Sequence, residues 1–228
     1  MAKSSSKKGN TATPAERGEP TSVNAAYAKK NNPSPVFSTM NWSKYQSTEE
    51  VNADVQALDA TDGLRELFYD GLKGIYWSEL HLTDALPKMA AAAASAKLKK
   101  AIENHLAETE MQVQRLEGIF EMIGRHPKAK KCAAMEGLSI DGEAIVENTD
   151  AGSPARDMGI IMASDKVEHY EMAAYGGLIK LATNLGLTDA VSLLELTLQE
   201  EQASSDLLND ISENDKQINH AFNDAAKA

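Results

Sequence analysis

The sequence predicts an all-α protein built as a four-helix bundle. Aromatic residues make up only 5% of the 228 residues, and the body of the chain is rich in Ala, Leu and Glu, with few β-branched runs. Four stretches repeat apolar side chains every three or four residues, which places them on one face of an α-helix. These stretches predict helices at about 61–90, 95–123, 153–185 and from 188 to beyond 211.

Start and stop signals support these boundaries. Ser153 is a good N-cap, and Pro154 follows at the first helical position. Gly186 is a typical stop signal for the third helix. Pro87 should kink or end the first helix within a turn. The segment 125–150 has a short apolar pattern and is long enough to run the length of the bundle, so we expect a long crossover that contains a small helix or two between helices 2 and 3.

The apolar stripe of each predicted helix also carries carboxylates. They are Glu79 in the first helix, Glu108 in the second, Glu168 and Glu171 in the third, and Glu201 in the fourth. An isolated carboxylate in a core is costly, so it must be protonated, paired with a cation or bound to metal. Lys and Arg are nearly absent from these stripes, which favours metal. Two oxygen-loving cations bridged by carboxylates would satisfy all five, and such sites are built in bundle cores.

Other interpretations of these residues stay open. A single glutamate on an apolar stripe is more often a helix-end or interface residue, but four helices that each place one near mid-length make coincidence less plausible. His105, one turn from Glu108, is either a ligand or a hydrogen-bond partner of a ligand. Tyr76 and Tyr175 lie at a similar level, where a phenol could bond a ligand carboxylate, although aromatic core filling is favoured for both. His169 lies about 100° off its stripe and is left out of the ligand set.

Five segments resemble, in order and spacing, the YciE/YciF family of ferritin-like proteins. They are LRELFYDGLKGIYWSELHLTDALPKMA, HLAETEMQVQRLEGIFEMIG, KCAAMEGL, DKVEHYEMAAYGGLIKLATNLG and LLELTLQEEQ. The similarity extends over about 61–211, and KVEHYE together with KCxAM is the specific combination. The resemblance implies a ferritin-like antiparallel four-helix bundle from a bacterial stress response, a homodimer and a di-metal centre.

The chain departs from the usual di-iron pattern, which takes one Glu from each of two helices and a Glu-x-x-His pair from each of the other two. Here the second helix has His105-x-x-Glu108 and the third has Glu168-x-x-Glu171. In the fourth, serines stand where a histidine could follow Glu201. This carboxylate-rich set suits iron or manganese better than zinc or copper. The predicted ligands of two such ions are Glu79, His105, Glu108, Glu168, Glu171 and Glu201, and whether Gln112, Glu200 or Tyr175 joins them stays open.

The two ends of the chain differ from the body. Residues 1–58 are predicted to form a disordered basic arm, since the first 48 hold 7 basic and 2 acidic residues whereas the whole chain has a net charge of −11. A solvated arm is favoured over one that contacts nucleic acid. The bundle should occupy 59–214, and 215–228 should fray.

Composition also bears on location. No apolar run approaches the length of a membrane span, and the lysines near the N-terminus lack the apolar segment of a secretion signal. The single cysteine, Cys132, rules out an internal disulfide and is consistent with a reducing cytoplasm. Lysines beside it would favour a reactive thiolate, but a packed thiol is the preferred interpretation. We therefore expect a cytoplasmic protein.

Three functional hypotheses follow. The first is a redox enzyme that reduces peroxide or oxygen at an iron or manganese pair during stress. The second is a non-catalytic metal-binding or structural stress protein, and the third is a helical interaction module with protonated glutamates. A homodimer is expected because four apolar side chains lie off the carboxylate-bearing stripes without an obvious intramolecular role. They are Trp77, Leu80, Tyr170 and Ile179.

Overall fold

Five α-helices make up most of the chain that the computed structural model describes, residues 59–219. They are α1 (Asp59–Ala92), α2 (Ala96–Met122), α3 (Ala133–Asn148), α4 (Pro154–Asn184) and α5 (Thr188–Asn214). No β-strand occurs among the described residues, and the all-α prediction is confirmed. The predicted arm, 1–58, and the end of the predicted tail, 220–228, lie outside the described residues.

The four predicted long helices are α1, α2, α4 and α5, and they pack as a closed bundle. Short connections join α1 to α2 and α4 to α5, so each pair is an antiparallel hairpin. The hairpins pack through α2 against α5 and through α1 against α4. Each long helix therefore has two neighbours and turns one stripe toward a common interior. None of the described helices is long and apolar enough to cross a membrane.

Helix ends follow the predicted signals with one exception. The Ser95 and Ser153 hydroxyls accept hydrogen bonds from backbone N–H groups of the first turns of α2 and α4. Gly186 has a φ of 69°, the left-handed conformation that stops α4. The expectation that Pro87 kinks or ends the first helix within a turn is wrong about its end, because α1 continues to Ala92. Pro87 is exposed while Leu86 and Ala90 are buried, so core packing holds the last turn despite the lost hydrogen bond.

The connection between the hairpins contains a single helix, α3, which packs mainly on α4 and less on α1. Its approach to α4 is close at Gly159, where an added Cβ would lie 2.5 Å from Ile145 Cγ2. Met135 and Gly142 are the buried residues of α3. The long crossover therefore packs over one side of the bundle, against α4 and α1.

The start of the predicted frayed tail is packed. Ile218 is completely buried, and Asp215 is 4% exposed. The Ser95 hydroxyl donates a hydrogen bond to the Asp215 carboxylate, and residues 216–219 form a further helical turn. Fraying is therefore wrong for 215–219, because a buried isoleucine and a polar contact to the α2 N-terminus anchor this segment.

Two of the residues expected to support a dimer have partners within the chain. Trp77 stacks on His81 at 4.8 Å between ring centroids, and both Trp77 and Tyr170 pack against the core. Their assignment to an outer face without an intramolecular role is wrong. Leu80 is 37% exposed and Ile179 is partly buried. The homodimer stays a prediction.

Candidate metal centre

Four buried side chains from three helices meet inside the bundle. They are His105 on α2, Glu168 and Glu171 on α4, and Glu201 on α5. Each offers one ligand atom, and these atoms all lie within 4.8 Å of one another. None of the four residues is more than 5% exposed. We call these four residues the His–Glu cluster.

Helix periodicity explains why the side chains of the His–Glu cluster face the interior. Glu168 and Glu171 share the buried face of α4 with Tyr175, at spacings of three and four residues. On α5, Glu201 lies four residues after Thr197 on the buried face. The same repeat that builds the core thus turns these carboxylates inward.

Glu79 extends this site to α1. It is completely buried, and the Tyr175 hydroxyl donates a hydrogen bond to its Oε1. Its ligand atoms are outside the 4.8 Å group, yet the charges of Glu79, Glu171 and Glu201 affect one another's pKa. Each of the four bundle helices therefore contributes at least one side chain to the centre.

Eight buried atoms of these five residues have no hydrogen-bond partner. They are Glu79 Oε2, His105 Nδ1 and Nε2, Glu168 Oε2, both carboxylate oxygens of Glu171 and both of Glu201. Buried polar atoms are normally paired, and each unpaired one costs free energy. Hard divalent cations would supply a partner to the carboxylate oxygens and to one ring nitrogen of His105, so the residues fit a metal site.

The pKa values in the metal-free centre are strongly raised. Burial is the main cause, and it raises the pKa of Glu79 from 4.5 to about 8 and that of Glu168 to about 7. The pKa values of Glu171 and Glu201 are well above 4.5, again mainly through burial. Neighbouring carboxylates add to the shift. Without metal, the centre therefore holds protons at neutral pH, and metal binding would release them.

His105 lies between carboxylates without forming a hydrogen bond to any of them. Its Nε2 is 3.5 Å from Glu168 Oε1 and 3.9 Å from Glu201 Oε2, too far for a hydrogen bond. Burial alone would lower its pKa, but the negative charges of Glu108, Glu201 and Glu79 outweigh burial and raise it. Both ring nitrogens lack a partner. His105 is thus a ligand candidate within the His–Glu cluster.

The structure does not bring Glu108 into the His–Glu cluster. Its side chain is 47% exposed and lies 3.8 Å from His105 Nδ1. The buried face of α2 continues from His105 through Thr109 and Gln112, so Glu108 lies at the edge of the helix stripe. Of the six predicted ligands, Glu108 is therefore the one that faces solvent.

Arg115 was missed in the sequence. The sequence predicts that Lys and Arg are nearly absent from the buried stripes, but Arg115 is buried, with only 3% of its surface exposed. It donates two hydrogen bonds to Glu200, one of them 2.6 Å from Nη2 to Oε1. Gln112 Nε2 also donates to Glu200, at 3.2 Å. Glu200 thus accepts hydrogen bonds from both Arg115 and Gln112, and neither Gln112 nor Glu200 is in the His–Glu cluster.

Hydroxyl groups hold two of the carboxylates. The Ser204 hydroxyl donates to Glu168 Oε1 at 2.9 Å, and Tyr175 bonds Glu79, so Tyr175 fills the core and also positions a carboxylate. Tyr76 instead donates to Glu117 at 2.9 Å. His169 is exposed, in agreement with its omission from the ligand set.

The single cysteine lies outside the centre. Cys132 is half-buried, and its Sγ is 2.9 Å from the Tyr170 hydroxyl oxygen. Partial burial would raise the pKa of the thiol, but hydrogen bonds from the Met135 backbone and from Tyr170 outweigh it and lower the pKa. The thiol contacts the core through Tyr170, consistent with the packed role.

A family model described as a domain of unknown function, DUF892, matches residues 63–222. The chain belongs to this DUF892 family. It is 40% identical to Protein YciF of Escherichia coli K12 over 152 residues, which cover 66% of this chain and 91% of YciF. The predicted resemblance to the YciE/YciF family is thereby confirmed.

Two solved structures of similar chains agree with this fold. The crystal structure of the E. coli stress protein YciF has a TM-score of 0.65 at 39% identity, and it covers 68% of this chain and 97% of that one. YcfI from Rhodopseudomonas palustris, provisionally described as structural, has a TM-score of 0.61 at 37% identity and covers 64% and 92%. The chain is thus similar to a bacterial stress protein.

Proposed function

We propose that this protein binds two iron or manganese ions in its bundle core and uses them to reduce oxygen or peroxide during stress. The observation that carries the proposal is the concentration of eight unpaired buried atoms on residues from all four bundle helices. The residues that would hold the ions are Glu79, His105, Glu168, Glu171 and Glu201. When bound, the ions would supply electrons to the oxidant.

Charge balance supports two divalent ions rather than one. The centre contains four buried carboxylates, on Glu79, Glu168, Glu171 and Glu201. When ionised they match the charge of two divalent cations, which offsets the cost of burying them. The nearby cation, Arg115, already pairs with Glu200 and leaves these carboxylates to the metals.

The surrounding side chains would hold the ligands in place. Tyr175 fixes one oxygen of Glu79, and Ser204 fixes one oxygen of Glu168, so each carboxylate keeps its other oxygen for a metal. Such outer hydrogen bonds orient ligands and tune the metal.

Metal analysis by plasma mass spectrometry tests the proposal. Protein purified without added metal should contain close to two iron or manganese ions per chain. Glu171→Gln removes a completely buried carboxylate and should lose metal, whereas Glu108→Gln changes a half-exposed one and should retain it. Folded wild-type protein that takes up neither iron nor manganese would overturn the proposal.

A second candidate is a non-catalytic metal-binding stress protein. The likeness to YcfI, provisionally described as structural, favours it. Metal would then stabilise the native state by binding it selectively, with no turnover. Consumption of oxygen or peroxide by metal-loaded wild type, absent from Glu171→Gln, distinguishes the enzyme from this alternative.

A further inference from the structure

A cavity of about 60 Å³ lies between α1, α3 and α4 and leads from the surface to the His–Glu cluster. Its walls are mainly aliphatic and include Leu82, Met89, Leu138, Gly142, Ala163 and Val167. Its lining also includes Lys88 and Glu143, both exposed, and His105 and Glu168, both buried. The cavity thus connects solvent with two residues of the His–Glu cluster.

The inner end of the cavity carries unpaired polar atoms. Both ring nitrogens of His105 and the Oε2 atom of Glu168 are buried without a partner, and these residues are 5% and 2% exposed. A small molecule in the cavity would therefore lie beside the residues that would hold the metals. This connection separates the cavity from an ordinary packing defect between helices.

The size of the cavity limits its occupant. An apolar protein cavity of about 150 Å³ holds benzene, so 60 Å³ is too small for an aromatic or branched organic molecule. On the same measure a single water needs about 10–15 Å³. A molecule of two heavy atoms fits.

The chemistry of the walls narrows the choice further. The aliphatic part of the wall disfavours a charged molecule, because it cannot replace the hydration of the charge. Hydrogen peroxide would exchange its hydration for aliphatic surface along most of the cavity, and it would meet the unpaired atoms of Glu168 and His105 only at the inner end. Dioxygen is neutral and has no hydrogen to donate. We propose that this cavity is an entry route and docking site for dioxygen, an inference that rests on the proposed function for its use.

Gly142 offers a way to fill the cavity from α3. A Cβ atom there would meet Met89 Cε at 3.4 Å and Ala163 Cβ at 3.7 Å, which are ordinary contacts. Gly142→Val should therefore fold and occupy cavity space. Gly137→Val is the matched control, because Gly137 lies on the same helix, is exposed and has nothing within 4 Å of its Cβ position. Ala163→Val fills the cavity from α4 and serves as a second variant.

The first experiment uses metal-free full-length protein. Dissolved oxygen is paramagnetic, so it speeds the relaxation of methyl groups that it contacts. The methyl signals of Leu82, Leu138 and Val167 should relax several-fold faster under oxygen than those of Leu116, which is buried away from the cavity. Gly142→Val should reduce this difference and Gly137→Val should not. Equal effects on the lining methyls and on Leu116 would overturn the inference.

The second experiment follows oxidation of bound ferrous iron by stopped-flow absorbance. Gly142→Val and Ala163→Val should slow oxidation by dioxygen several-fold at unchanged iron content, while Gly137→Val matches wild type. Slowing with peroxide alone would overturn the assignment to dioxygen, as would equal dioxygen rates in all variants. Wild-type protein that binds neither iron nor manganese would refute the proposed function, and the relaxation experiment would still decide whether dioxygen enters the cavity.

Discussion

Replacing Glu79 by glutamine should make the metal-free protein more stable at neutral pH. Glu79 is completely buried, and burial raises its pKa from 4.5 to about 8. The folded protein therefore keeps this carboxyl group largely protonated at neutral pH, whereas the unfolded chain ionises it. Glutamine has the same shape and can accept the bond from Tyr175, but it has no proton to lose.

The sign and size of the effect follow from proton linkage. A group whose folded pKa is raised supports the fold fully below its unfolded pKa, near 4.5, and this support is lost as pH rises to about 8. Each pKa unit corresponds to about 1.4 kcal/mol, so the loss at pH 7.5 is about 4 kcal/mol. The unpaired amide N–H of glutamine costs about 2 kcal/mol. The variant should thus be more stable than wild type by about 2 kcal/mol at pH 7.5 and less stable by about 1 kcal/mol at pH 5.

Urea unfolding in the presence of a chelator, followed by circular dichroism at both pH values, measures this difference. Glu195→Gln on α5 is the control, because Glu195 is exposed and its replacement should change little at either pH. A Glu79→Gln effect of the same sign and size at both pH values would refute the linkage argument. Added iron or manganese should then stabilise wild type more than the variant, because the variant has lost a ligand.

Three further changes test the surroundings of the centre. Tyr175→Phe should cost the metal-free protein about 1 kcal/mol in urea unfolding through the lost hydrogen bond, and it should weaken metal binding in a titration because Glu79 is no longer held; unchanged affinity would contradict that role. Arg115→Met should destabilise the fold by about 3 kcal/mol because it leaves Glu200 half-buried without its cation, and Arg115→Lys should rescue it only in part since lysine cannot make both bonds; full rescue in urea unfolding would refute the two-bond argument. Ser95→Ala should cost about 1–2 kcal/mol and speed hydrogen exchange at Ile218, whose segment it anchors through Asp215; unchanged exchange would show that this contact does not hold the segment.

Helix periodicity was sufficient to predict the bundle because each long helix has an apolar stripe that faces the common interior. It could not fix residues at the edge of a stripe. Glu108 and Ile102 lie at about 60° on opposite sides of His105 on a helical projection, so the sequence of α2 alone does not decide which of them faces the core. Packing of the neighbouring helices buries Ile102 and leaves Glu108 half-exposed.

Long-range polar contacts were beyond the sequence for a different reason. Arg115 is buried because Glu200, 85 residues later in the chain, meets its guanidinium group. No local pattern indicates such a pair. The anchoring of 215–219 likewise depends on Ser95, 120 residues away from Asp215. In each case the sequence shows the residue type, but only the tertiary fold supplies the partner that decides burial.

Contacts within the protein restrict the buried carboxylates. Tyr175 and Ser204 each donate a hydrogen bond to one oxygen of a buried carboxylate, and an apolar cluster that includes Leu98, Ile160 and Leu208 stabilises the same helices. Unpaired buried carboxylates cost free energy, and this apolar packing offsets that cost. The metal binding that we propose would therefore use ligands whose positions the fold restricts, which is the arrangement that a functional site requires.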